Sequence, residues 1–149
     1  MGCYDGVTFR GTFRDCQLRV LEHAREYLDD GKLHIVAAPG SGKTVLGLEL
    51  IRRLGAPCLI LSPTAAIRGQ WGDRFRELFL DDPADFDALF SEDLHTLKTV
   101  NAATYQALYS AMERPAGGEA DCPDLIARMR AHDVRTVCLD EAHHLRNEW

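Results

Sequence analysis

One turn constrains this chain more than any other stretch of it. Ala37-Ala38-Pro39-Gly40-Ser41-Gly42-Lys43-Thr44 follows a short apolar run, Leu33-His34-Ile35-Val36, and opens the apolar-periodic segment Val45-Leu46-Gly47-Leu48-Glu49-Leu50-Ile51. A buried strand is therefore expected to turn into a helix at this point. Gly40 and Gly42 let the backbone curl so that amide N–H groups point inward. The helix beginning near Gly42 adds its positive N-terminal end, and together they make a cradle for phosphate oxygens. Lys43 is placed to reach the β- and γ-phosphates of a nucleotide, and the Thr44 hydroxyl to ligate Mg²⁺. The Walker A pattern G-x-x-x-x-G-K-[ST] is met except at its first glycine, where Ala37 stands. That position approaches the phosphates less closely than the second glycine. Pro39, Gly40, Ser41, Gly42, Lys43 and Thr44 are thus the candidate nucleotide contacts. The competing reading, an ordinary glycine-rich strand–helix turn, rarely produces Gly-Lys-Thr in this context.

Size and charge limit what surrounds this turn. A chain of 149 residues is one domain by length and large enough for a real core. Its 46% hydrophobic and 27% charged residues are those of a soluble globular protein. No apolar run approaches the roughly 20 residues of a membrane span, and Met1-Gly2-Cys3-Tyr4-Asp5-Gly6 has neither the basic nor the apolar region of a signal peptide. Gly6 also stands where a myristoylation pattern wants Ser or Thr. The five cysteines are odd in number and contain no C-x-x-C pair, which argues for a reducing cytoplasm and against a zinc site or disulfide framework. Cys58 and Cys138 fall in strand-like runs and read as small core residues. The net charge of −6 disfavours nucleic-acid binding over the whole surface, so any such contact must use a local basic face.

Taken in order, residues 1–12 are rich in glycine, poor in apolar anchors and without a period, and read as a flexible lead-in before a domain over 13–149. An amphipathic helix is expected from Phe13 to about Asp30, with Leu18, Leu21 and Leu28 on its apolar face and Gly31 as its stop. Leu33–Ala38 is the first core strand, and the helix after the turn runs to Leu54, where Gly55-Ala56-Pro57 breaks it. Cys58-Leu59-Ile60-Leu61 is continuously apolar, as in a strand covered on both faces. Ser62-Pro63-Thr64 then leads into a helix from about Ala65 to Leu80. The acidic stretch Asp81–Asp93 reads as a solvated loop with a helical turn around Phe86 and Leu89. A weaker strand over Thr99–Ala103, a short helix over Tyr105–Met112, a loop over Arg114–Asp121, a helix over Pro123–His132 and a buried strand over Thr136–Leu139 complete the pattern. Strands alternating with helices indicate an α/β fold, a parallel sheet flanked by helices.

The last strand runs straight into Asp140-Glu141-Ala142-His143. Ligands of open α/β sheets bind outside the carboxyl ends of the strands, so this acidic pair faces the same crevice as the phosphate turn. Asp140 can hold Mg²⁺, directly or through water, and Glu141 is placed to polarise the water attacking the γ-phosphate. An Asp-Glu pair after an apolar run is commonplace alone; the upstream turn gives it meaning. His143 and His144 have no further His or Cys at ligand spacing and are read as coupling or hydrogen-bonding groups rather than metal ligands.

These residues carry a family resemblance. The chain resembles the first RecA-like domain of a superfamily 2 helicase of the DEAD/DEAH-box class, most nearly the branch of XPB-type helicases and the Res subunits of type III restriction enzymes. Phe13-Arg14-Asp15-Cys16-Gln17 resembles L-R-x-Y-Q, with Cys16 in place of the aromatic residue. Pro63-Thr64-Ala65-Ala66-Ile67-Arg68-Gly69-Gln70-Trp71 resembles P-T-x-x-L-x-x-Q-W, Thr104-Tyr105-Gln106-Ala107-Leu108 resembles T-Y-x-x-L, and Leu139–Leu145 holds the DEAH box. Their order along nearly the whole chain makes the likeness specific.

The resemblance implies a P-loop NTPase domain in which Arg14 and Gln17 contact adenine, Lys43 and Glu141 serve catalysis, and Thr44 and Asp140 hold Mg²⁺. It implies that Thr64, Arg68 and Thr104 grip one nucleic-acid strand by its phosphates, with DNA favoured over RNA. Gln70 and Trp71 are read as packing or capping residues at least as readily as ligand contacts, and Tyr105 as core or contact at even odds. Such a helicase also needs a further strand and a second RecA-like domain that supplies an arginine to the transition state, so the chain is expected to be a partial domain, incomplete at its C-terminus and with an open sheet edge after Leu139. The implied function is ATP-dependent movement on, or unwinding of, nucleic acid. A restriction-system motor subunit and a non-hydrolysing nucleotide-binding fragment remain alternatives. A P-loop ATPase that is not a helicase is disfavoured by the elements at Pro63–Trp71 and Thr104–Leu108.

Overall fold

A computed structural model describes residues 4, 6–27, 42–112 and 125–140. Within them α1 (Asp15–Tyr27) and α2 (Lys43–Leu54) precede β1 (Cys58–Ser62), and α3 (Ala65–Leu78) follows it. A single 3₁₀ turn and α4 (Phe86–Leu89) lead to β2 (Phe90–Ser91) and β3 (Val100–Thr104). Next come α5 (Tyr105–Met112), α6 (Leu125–Ala131) and β4 (Thr136–Leu139). The four strands form one sheet in the order β2-β3-β1-β4, and every pairing is parallel. This is the RecA-like arrangement of a parallel sheet flanked by helices. The strand expected over Leu33–Ala38 lies outside the described residues.

β1 is the centre of the sheet and is buried along its whole length. Because successive side chains point to opposite faces, it feeds two cores. Cys58 and Ile60 pack with Leu48, Ile51, Trp71, Phe75, Phe79 and Val100 on one face. Leu59 and Leu61 pack with Leu94, Ala103, Tyr105, Ala111 and Leu125 on the other. The registers Leu59↔Asn101 and Leu59↔Val137 align the three longer strands so that their carboxyl ends finish together. Asn101, 2% exposed, locks the opposite end: its amide donates to the carbonyls of Cys58 and Lys98, and its Oδ1 accepts from the Lys98 N–H.

The helix ends follow local chemistry. α2 opens at Gly42 (φ 80°) and closes at Gly55 (φ 73°), both in the left-handed region that glycine enters at no steric cost. The N–H of Gly55 donates to the carbonyls of Ile51 and Arg52. Thr64 caps α3 by accepting from the Ile67 N–H at 3.2 Å, and Thr104 caps α5 by accepting from the Ala107 N–H at 3.0 Å.

Three differences from the sequence reading have physical causes. Leu18 is 44% exposed; α1 turns Gln17 and Leu21 inward, and Leu21 meets Leu46 and Leu50 of α2. Within the acidic stretch, Phe90 and Ser91 form a strand paired with Val100 and Asn101, although two residues are too short to display a period. The N-terminal stretch supplies apolar anchors: Tyr4 and Val7 are buried in the first core, Val7 forms an antiparallel bridge with Leu80, and the Phe9 ring packs tilted against Phe79, centroids 5.4 Å apart. Its backbone continues that contact, with Thr8 and Arg10 donating to the carbonyls of Phe79 and Leu78.

Candidate nucleotide site at the carboxyl ends of the strands

Lys43 is the first residue of α2, and Asp140 directly follows β4, so both stand where the sheet ends. Lys43 Nζ lies 2.9 Å from Asp140 Oδ1, a charge-assisted contact. The Asp140 side chain is 3% exposed and that of Lys43 27%. A carboxylate this deeply buried needs partners for its remaining lone pairs. Trp71 Nε1–H of α3 donates to Asp140 Oδ2 at 2.8 Å. The Tyr105 hydroxyl of α5 donates to the Asp140 carbonyl at 2.9 Å, and the Asp140 N–H donates to the Leu61 carbonyl at 2.8 Å. Every polar group of Asp140 therefore has a protein partner, drawn from α2, α3, α5 and β1. Burial raises the Cys138 thiol to about 12; the Asp140 charge adds to that shift and Lys43 opposes it.

The other side of Lys43 is built by Gln17. It is 4% exposed and stands in the first turn of α1, where its Oε1 accepts from the Arg14 N–H at 2.7 Å, as the third residue of a capping box does. Its Nε2 donates to the Gly42 carbonyl at 3.0 Å. A Cβ at Gly42 would lie 2.2 Å from that nitrogen, so the close approach of α1 to the start of α2 requires glycine. Gln17 thus braces the turn by its backbone, while the Arg14 side chain is exposed at the start of the same helix. Thr44 is half-buried in the first turn of α2. Pro39, Gly40, Ser41 and Glu141 lie outside the described residues.

The donor set suits a nucleotide with a divalent cation. A helix N-terminus with a left-handed glycine offers amides to phosphate, the Lys43 ammonium offers charge, and the Thr44 hydroxyl and Asp140 carboxylate are hard oxygen ligands of the kind Mg²⁺ takes. Ser62 Oγ, fully buried at the carboxyl end of β1, has no hydrogen-bond partner among the described residues and adds a polar atom to this end of the sheet.

Thr64, Arg68 and Thr104 stand at the same end, on the caps and first turns of α3 and α5. Thr64 is exposed and Thr104 half-buried. Arg68 Nε lies 2.7 Å from Glu92 Oε2, an ion pair that neutralises the one basic side chain in this group. Trp71, Tyr105 and Glu92 are the participants that sequence reasoning did not assign to the site. The signals for the first two were the polar handles of aromatic residues that an apolar pattern counts as core.

Residues 10–149 match the family described as type III restriction enzyme, res subunit. The chain belongs to that family. It is a superfamily 2 helicase RecA-like domain in sequence pattern and fold. Over 141 residues, 88% of the chain, it is 26% identical to a Haloarcula marismortui protein named as the DNA 3'-5' helicase Rad25. Over 63 residues, 41% of the chain, it is 36% identical to UvrABC system protein B of Thermus thermophilus. The chain spans 20% and 10% of the lengths of these curated relatives.

Proposed function

We propose that this domain binds Mg-ATP and is the ATP-binding half of an ATP-dependent helicase or translocase acting on DNA, in the cytoplasm. The observation that carries the reading is the Lys43–Asp140 pair, 2.9 Å apart at the carboxyl ends of a parallel sheet. The ammonium and the carboxylate satisfy each other across this contact. On nucleotide binding Lys43 turns to the β- and γ-phosphate oxygens and releases Asp140 Oδ1, which with Thr44 becomes available to the metal. Thr44 and Asp140 would hold Mg²⁺, which would supply positive charge against the charge that develops on the phosphate during transfer. Glu141 accepts a proton from the attacking water, Arg14 and Gln17 contact the adenine, for which Gln17 must first release the Arg14 N–H or the Gly42 carbonyl, and Pro39, Gly40, Ser41 and Gly42 contact the phosphates. Thr64, Arg68 and Thr104 take phosphates of one DNA strand, for which Arg68 must first leave Glu92. A second RecA-like domain closes the site and completes the motor.

A restriction-system motor is the second reading, favoured by the description of the family that residues 10–149 match. A nuclease domain in the same polypeptide would select it.

ATP binding and turnover by the chain, with and without DNA, test the proposal. Binding is expected, with Lys43→Ala weakening it by at least tenfold and Glu141→Gln preserving binding while removing any turnover. ATP affinity unchanged by Lys43→Ala overturns it.

A further inference from the structure

We infer that Trp71 and Tyr105 are positioning residues for Asp140, and that through them the two elements assigned to the DNA strand set the orientation of the metal-holding carboxylate. The inference rests on the nucleotide reading above. Thr64 and Arg68 begin α3, and Trp71, the next residue on that helix face, donates its indole N–H to Asp140 Oδ2 at 2.8 Å. Thr104 caps α5, and Tyr105 beside it donates its hydroxyl to the Asp140 carbonyl at 2.9 Å. On each of the two elements the candidate phosphate contacts are therefore followed by a buried aromatic whose polar end terminates on the same aspartate.

Packing makes these bonds selective rather than incidental. Trp71 is 2% exposed, and its ring lies against α2: a Cβ at Gly47 would meet Trp71 Cη2 at 2.6 Å. The indole cannot swing toward α2, so its N–H stays aimed at Oδ2. With Oδ2 occupied, Oδ1 is left for Lys43 and, after Lys43 turns away, for the metal. Tyr105, 6% exposed, holds the main chain from which that side chain projects. A shift of α3 or α5 as their N-termini take up phosphates moves one of the two donors, and with it the carboxylate.

Mg²⁺ titrations of ATP binding, monitored with a fluorescent ATP analogue, test this in Trp71→Phe and Tyr105→Phe. Both variants keep a buried ring and remove a single donor. Affinity without Mg²⁺ is expected to stay within about twofold, while the Mg²⁺ midpoint rises by about 10–100-fold, the usual loss when a partner orienting a metal ligand is removed. The chain has two tryptophans, so Trp149→Phe leaves Trp71 as the sole tryptophan; its emission, excited beyond tyrosine absorption, should shift when a short single-stranded oligonucleotide is added to the Mg-nucleotide complex. An unchanged Mg²⁺ midpoint in both variants, with Lys43-dependent ATP binding intact, overturns this inference alone. Absence of Lys43-dependent binding in the unsubstituted chain overturns the nucleotide reading and this inference with it. If Trp71→Phe does not fold, Tyr105→Phe, which lacks only one oxygen, decides.

Discussion

Glu49 shows how one buried charge is kept in this fold. It is 1% exposed in the middle of α2, where a carboxylate would be costly without compensation. Arg52 and Arg53, one turn on, both close on it: Arg53 Nε lies 2.9 Å from Oε1 and Arg52 Nε lies 3.0 Å from Oε2. Burial pushes the Glu49 carboxyl up, but the hydrogen bonds and charges of the two arginines outweigh it and the net direction is down from 4.5. A lowered carboxyl contributes stability at pH above its unfolded value and loses it as pH falls through the folded one. Glu49→Gln is therefore expected to lower stability at pH 7 by about 1.5–3 kcal/mol, the worth of hydrogen bonds to a charged group. The gap between variant and parent should shrink in urea titrations carried below pH 4.5. A gap that widens on acidification contradicts the assignment. By contrast, Arg74–Glu77 and Arg76–Asp73 on α3 are exposed pairs and should contribute little.

At the scale of elements, the contact between α2 and α3 is the joint on which the site depends. Gly47 faces the Trp71 ring, and the space is too small for a methyl group. Alanine in place of glycine inside a helix ordinarily stabilises by about 1 kcal/mol. Here the expected sign is reversed: Gly47→Ala should destabilise by about 1–3 kcal/mol through overpacking and should disturb the Trp71–Asp140 bond. Thermal melts of this variant beside Gly69→Ala, where a Cβ meets nothing within 4 Å, separate packing from propensity. Much of the element scale could be read from sequence. The apolar run at Cys58–Leu61 and the glycine stop at Gly55 each act over a few residues. β2 could not, because its pairing with β3 is decided by a partner strand rather than by its own pattern.

For the whole molecule, the N-terminal stretch is part of the core. Tyr4 donates to the Ala56 carbonyl at 2.8 Å across the amino end of β1, and Arg10 Nη1 donates to the Leu80 carbonyl at 3.1 Å. Removing residues 1–10 is expected to cost about 3 kcal/mol or more, since burying a single large apolar side chain is worth about 1.5–3 kcal/mol. The denaturation midpoint of the shortened chain checks this, and an unchanged midpoint would show the stretch to be dispensable. β4 presents Val137 and Leu139, 57% and 47% exposed, on the face where Leu59 and Leu61 of the neighbouring strand are covered. Among the described residues no helix is long and apolar enough to cross a membrane.

Short-range chemistry marked out the glycines that bound α2, the buried central strand and the strand that runs into Asp140. A glycine's φ and an apolar run act on residues a few positions away, and so are visible in order along the chain. The strand order, the anchoring of the N-terminal stretch, the Arg68–Glu92 pair and the partners of Asp140 were settled by folding. Trp71 and Tyr105 stand 69 and 35 positions from the aspartate they hold. No local pattern distinguishes an indole N–H or a phenol that will meet a carboxylate or a carbonyl from one that simply lines a core. Burial supplies the reason they meet: a charge removed from water must find its donors wherever packing has brought them.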